Sequence, residues 1–229
     1  MLGLIIAMVT ESELVAQTMT DKKEEKISCL RLISGKLSGR DTVIVTGAYG
    51  KVSAAIAAQL LVDRYGADRI INIGVAGGLE RGMHQCDFAV ADNFVQHDVD
   101  TSAVGDPLGL VSGLYVDHFP ADEAIRKVLT DVVKRNTGGE PFVGTFASGD
   151  QFVASSERSN FIRDTFGAIA CDMESAAAAQ ACLMLGVPFG AIRCISDNAD
   201  GAAGMSYDEF RDKTAALCAK MIIDAAGEL

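Results

Sequence analysis

The chain has 229 residues, enough for one large α/β domain. A content of 49% hydrophobic and 22% charged residues is that of a globular protein and excludes a disordered one. Acidic residues outnumber basic ones 31 to 20, and the resulting charge of −11 disfavours nucleic acid and anionic membrane surfaces as partners.

Taken in chain order, residues 2–8 form an apolar run, as in a strand covered on both faces, and 12–19 read as a helix. "KISCLRLISGKL" (26–37) and "DTVIVTG" (41–47) read as a hairpin. A helix over 51–66 ends on Gly66, and a buried strand over 69–74 runs into the turn "VAGG". Strands follow at 86–97 and 142–147, with helices at 120–136 and 156–165. A short strand, 168–173, leads straight into an Ala-rich helix, 174–185. A strand over 188–196 and a helix opened by "SYDE" (206–209), with capping-box spacing between Ser206 and Glu209, complete the order. Strands alternate with helices and no linker intervenes, so the expectation is a single α/β domain spanning 1–229, with helices flanking a central mixed sheet.

The six cysteines show no CxxC spacing and read as thiols of a reducing, cytoplasmic protein; the three histidines lie far apart and suggest no metal site. The N-terminal segment has no basic region like that of a signal peptide, and the longest apolar run is too punctuated to span a bilayer.

In α/β sheets ligands gather at the carboxyl ends of strands. "GAYGKVS" (47–53) has too few residues between its glycines for a phosphate loop, and "GVAGG" (74–78) is not GxGxxG; tight turns or close backbone approach account for both. The acids are more informative. Glu11 follows the first strand, Asp172 and Glu174 follow "AIAC", and Asp197 ends "AIRCIS", a strand that carries Arg193 through an apolar run. One acid after a strand is commonly a helix cap. Three strands that bring carboxylates to one sheet edge point instead to groups whose pKa values are raised by mutual repulsion and burial, as proton transfer requires.

"GAYGKVSAA", "NIGVAGGL", "HDVDTSAVG", "SGDQFV", "DMESAA" and "IRCISDNAD", in this order, resemble the 5′-methylthioadenosine/S-adenosylhomocysteine nucleosidases, of the nucleoside phosphorylase fold family. The resemblance runs from about residue 2 to 225. It implies a nucleoside phosphorylase-like fold and hydrolysis of the N-glycosidic bond of a thioadenosine, without cofactor or metal. In that scheme Asp197 is the general acid at purine N7, Ser196 orients it, and Glu11 activates water. Arg193 lies near the water and the ribose, Glu174 grips the ribose hydroxyls, and Met173 packs beside the sugar. Phe152 stacks on adenine and the backbone of Val153 reads the base edge. Met8, Val75, Asp172 and Tyr207 complete the substrate-binding set. The segment 101–119 is expected in a homodimer, closing the partner's pocket.

Three departures bear on specificity. Val75 stands where many of these nucleosidases carry Ser or Thr, Asp172 replaces a Glu, and Tyr49 and Tyr207 replace apolar residues. The added hydroxyls favour a more polar 5′ substituent, as in 6-amino-6-deoxyfutalosine. Other readings are core packing for Met173 and Phe152, a structural ion pair for Arg193, and a mobile surface loop for 101–119. At the level of function the alternatives are a phosphate-dependent phosphorylase and a silent nucleoside-binding module. The first loop, "MVTESE" (8–13), has two acids and no arginine and would repel phosphate.

Overall fold

The computed structural model describes residues 1–197 and 203–229, with side chains of the last segment from 213 onward. The chain opens with β1 (Leu2–Ile6), α1 (Val9–Thr18), β2 (Thr20–Ile27), β3 (Leu30–Leu37), β4 (Arg40–Thr46), α2 (Gly50–Tyr65), β5 (Arg69–Gly78) and β6 (Phe88–Gln96). It continues through β7 (Phe119–Pro120), α3 (Glu123–Thr137), β8 (Phe142–Ser148), α4 (Ser156–Phe166), β9 (Ala168–Asp172), α5 (Ser175–Leu185), β10 (Phe189–Asp197) and α6 (Ala203–Ala226).

All residues of β1 are buried because both faces of its sheet are covered. Leu2, Leu4 and Ile6 join one core with α1, α3 and α6, through Val15, Leu129 and Ile222. Ile5 joins the other core, against α2 and α5, where Ala54, Ala57, Ala58, Ala176 and Ala179 let the helices approach closely. Gly3 belongs to that tight side: a Cβ there would sit 3.1 Å from Ile70 and Leu61. The alternation of β1 between two cores is the period-2 geometry of a strand.

The sheet is mixed, as the sequence predicts. β5 lies parallel to β1 and to β10 and antiparallel to β9. From β5 the strands run through β10, β6, β8 and β9 and return to β5, so this part of the sheet closes on itself. The other side of β5 extends as β1, β4, β3 and β2.

Three expectations need correction. Residues 20–27 form β2, which the sequence reading leaves mostly unassigned. "TDKKEEKI" is exposed along nearly all its length, so no buried side imposes an alternation to read. "VAGG" is not a turn: β5 continues to Gly78, pairing Gly77 with Cys171 and Gly78 with Ala170. Its glycines serve close packing, since a Cβ on Gly78 would lie 3.0 Å from Ile195. The last helix starts at Ala203, upstream of "SYDE", and the side chains of Ser206 and Glu209 lie outside the described residues.

The 101–119 segment is organised. Asp106 accepts hydrogen bonds from Thr101 and Ser112, Val111 bridges Val116, and Val111, Leu114 and Val116 pack on the core. Tyr115 is 83% exposed at its tip. No helix of the described residues is long and apolar enough to cross a membrane.

Candidate active site

The far end of β5 is the floor of a cavity with about 780 Å³ of empty space, counting its open mouth. Three routes bring carboxylates to it. β1 ends at Ile6, and the chain turns through Met8 into α1, whose first turn carries Glu11. β10 runs parallel to β5 and pairs Asp197 with Gly77. β9 runs antiparallel to β5, pairs Cys171 with the same Gly77, and so delivers Asp172 and Glu174 from the opposite direction.

Arg193 is 1% exposed and explains its place in an apolar strand through its partners. One guanidinium nitrogen donates to the carbonyls of Asn72 and Ile192 at 3.1 Å, and another donates to the Asn72 side chain. It pairs with Asp172 Oδ2 at 2.8 Å. Asp172 Oδ1 accepts from the Ser148 hydroxyl and from the N–H groups of Glu174 and Ser175, both at 3.1 Å. The structural readings of these two residues therefore hold together with the site reading: Asp172 ties down the start of α5 and neutralises Arg193, and both line the cavity. Burial alone would raise the Asp172 pKa, but Arg193 and the serine donors outweigh it and hold the carboxyl below its ordinary range.

Glu11 has a different environment. It is 1% exposed, and its carboxylate oxygens lack a well-formed hydrogen bond among the described residues. Burial pushes its pKa up to about 8; Arg193 pulls it down and Glu174 pushes it up by smaller amounts. Glu174 is raised to about 7, first by burial and then by Asp172, although its Oε1 accepts the Gly50 N–H at 2.9 Å. Asp197 is buried, and its Oδ2 accepts the Ser196 hydroxyl at 2.7 Å; Ser196 also reaches the Ala76 carbonyl at 3.3 Å.

The remaining residues read from the sequence gather here as well. Met8, Val75, Val153 and Met173 line the cavity, as does Tyr49, whose phenol is made harder to ionise by burial and then by Glu11 and Glu174. Phe152 lines it too and is 64% exposed, so it is not a core residue. Tyr207 lies outside the described side chains. Gln151 and Cys171, which line the cavity, and Asn72 and Ser148, which hold Arg193 and Asp172, are additions to the residues expected from the sequence. Asn72 carries a legible signal, an amide inside the buried run "RIINIG"; Ser148 carries none.

The sequence model of the phosphorylase superfamily matches residues 1–226. A 5′-methylthioadenosine/S-adenosylhomocysteine nucleosidase of Actinobacillus succinogenes is 35% identical over 229 residues, covering 100% of this chain and 99% of its own. The chain belongs to this nucleosidase family of the phosphorylase superfamily. Solved structures of the superfamily superpose closely on it. The nucleosidase of Neisseria meningitidis in complex with methylthio-immucillin-A matches with a TM-score of 0.95 at 35% identity, covering 100% of this chain and 99% of that one. A futalosine hydrolase of Helicobacter pylori matches with a TM-score of 0.94 at 32% identity, covering 100% and 97%.

Proposed function

We infer that the protein hydrolyses the N-glycosidic bond of 5′-methylthioadenosine and S-adenosylhomocysteine, releasing adenine and the 5-thioribose. The observation that carries the reading is the gathering of Glu11, Glu174 and Asp197 around one largely apolar cavity, with Arg193 already neutralised by Asp172. Breaking a C–N bond to a purine builds positive charge on the sugar, and buried carboxylates stabilise that charge. Water adds its oxygen to the anomeric carbon and gives a proton to Glu11, while Asp197 delivers a proton to N7 of the departing adenine. Glu174 holds the ribose hydroxyls, Met173, Met8 and Val75 pack around the sugar, and Phe152 and Val153 take the base. An exposed phenyl ring at the cavity suits stacking, because adenine would cover surface now in water.

The cavity's charge argues for water over phosphate. Among its described lining residues Arg193 is the one cation, and Asp172 already occupies it. A phosphorylase needs cationic donors for its anion, and among the described lining residues none is left to supply one. The second reading, hydrolysis of 6-amino-6-deoxyfutalosine, is favoured by Tyr49, which adds a phenol hydroxyl to the residues lining the cavity.

The same reading includes a cytoplasmic homodimer. Val52 and Ile56 on α2 and Tyr115 in the 101–119 segment are exposed apolar side chains of the kind a second copy would cover. Four of the six free cysteines are buried thiols, which suits a reducing compartment. The deciding experiment compares kcat/KM for methylthioadenosine, S-adenosylhomocysteine, 5′-deoxyadenosine and aminofutalosine, with and without phosphate. Adenine release from a thioadenosine without phosphate is the expected result; release only with phosphate would refute hydrolysis.

A further inference from the structure

Beside the cavity, three segments meet in a ring of hydrogen bonds. Lys51 Nζ donates to Asp98 Oδ1 at 2.6 Å, and the Asp150 N–H donates to Asp98 Oδ2 at 2.9 Å. The ring closes where the Lys51 N–H donates to Asp150 Oδ1 at 2.8 Å. The Asp98 and Lys51 side chains are only 17% and 19% exposed, so their attraction is less screened than that of a surface pair. Burial would raise the Asp98 pKa, but Lys51 and the Asp150 N–H hold it below its ordinary range.

The close approach is built into two glycines. A Cβ on Gly50 would lie 2.9 Å from Asp150 Oδ1, and one on Gly149 would lie 2.3 Å from the buried His97 ring, the residue before Asp98. None of Lys51, Asp98 and Asp150 lines the cavity, yet residues close in the chain to Lys51 and Asp150 do. Tyr49 and the Gly50 N–H that holds Glu174 precede Lys51, and Phe152 and Val153 follow Asp150.

We propose that Asp98 is a positioning residue that clamps the Glu174 side of the cavity to the Phe152 side. This rests on the reading of the cavity as a nucleoside site, in which Glu174 serves the ribose and Phe152 the base. The glycosidic bond joins those two halves, so a fixed spacing between the two walls aligns the scissile bond with both. Displacements of the order of 1 Å at such a site cost roughly 10²-fold in rate. The clamp also gives the departure of "GAYGKVS" from phosphate-loop spacing a purpose: its lysine faces a carboxylate of the chain itself.

The test uses Lys51→Met, Asp98→Ala and Lys51→Arg in the full chain. Both disruptive variants are expected to lower kcat/KM for methylthioadenosine by roughly 10–100-fold, with KM raised. The pH profile should keep its shape, since neither residue adjoins Glu11. Lys51→Arg should recover most of the loss. A readout independent of turnover is amide hydrogen exchange: Lys51→Met should speed exchange in 148–153 as well as in 47–53. Faster exchange confined to 47–53 would overturn the clamp. So would a kcat/KM within about twofold of the parent alongside a lowered Tm, the mark of a merely structural pair. A parent protein that releases no adenine would refute the nucleoside reading, and the exchange measurement would still decide the clamp.

Discussion

A carboxyl with a pKa of about 8 keeps its proton through the neutral range, so in the empty site Glu11 must lose one before it can accept another from water. Because kcat/KM reports the free enzyme, it should rise with pH up to about 8. Glu11→Gln should lose that limb together with turnover, and a pH-independent kcat/KM in the parent would clear Glu11 of the role. The same shift governs stability with a definite sign. The folded pKa lies above the ordinary 4.5, so the contribution is full below about pH 4.5 and is lost as pH rises to about 8. Glu11→Gln should therefore match the parent's Tm near pH 4.5 and exceed it at pH 8, on the order of several °C. Asp197→Asn keeps the size of the side chain but cannot protonate N7. Its kcat should fall about 10²–10⁴-fold, with a much smaller change in affinity for an unreactive nucleoside analogue. Near-normal kcat would remove Asp197 from the acid role. These residues are legible because burying a charge is costly, so Arg193 and Asp197 stand out in an apolar strand. Asn72 bears the same mark in a shorter run, while Ser148 and Cys171 look like any small strand residue.

Elements differ in how much of their form a sequence reveals. The two-sided burial of β1 writes itself as an unbroken apolar run, that of β10 as an apolar run interrupted by Arg193 and ended by Ser196 and Asp197, and α2 announces its end with Gly66 in the left-handed conformation. Extension of β5 through "VAGG" is hidden because glycine signals turns and close strand packing equally well. β2 is hidden because its partner strand, rather than a buried face, holds it in place. Gly50 and Gly66 provide a matched pair at the two ends of α2, with φ of 77° and 65°. Alanine at either position costs about 1–2 kcal/mol of backbone strain. At Gly66 the added methyl meets open space, so Tm should fall by a few °C with kcat/KM unchanged. At Gly50 it meets Asp150, and nucleoside affinity should fall as well. Equal kinetics for the two variants would mean that the approach of the 47–51 loop to Asp150 does not matter to the site.

For the molecule as a whole, the exposed apolar side chains of α2 and of the 101–119 segment set the expected assembly. A charge at Val52, as in Val52→Glu, should shift the proposed dimer toward monomers in sedimentation at micromolar concentration, and should lower kcat/KM if the 101–119 segment closes the partner's pocket. A parent protein that sediments as a monomer would remove the dimer from the reading. Closure of β5, β10, β6, β8 and β9 into a circuit has a further consequence, for colloidal behaviour. Strands in a closed circuit offer little unpaired backbone to another molecule, so among the described residues the long open flank of the sheet falls to β2. That strand carries Lys22, Lys23 and Lys26 along with its acids, and charges on an edge repel a second copy that would add itself as the next strand. Replacing the three lysines with threonine would retain β-propensity and remove this guard. The variant should form thioflavin-positive aggregates at concentrations where the parent stays clear, and its staying clear would place the protection elsewhere.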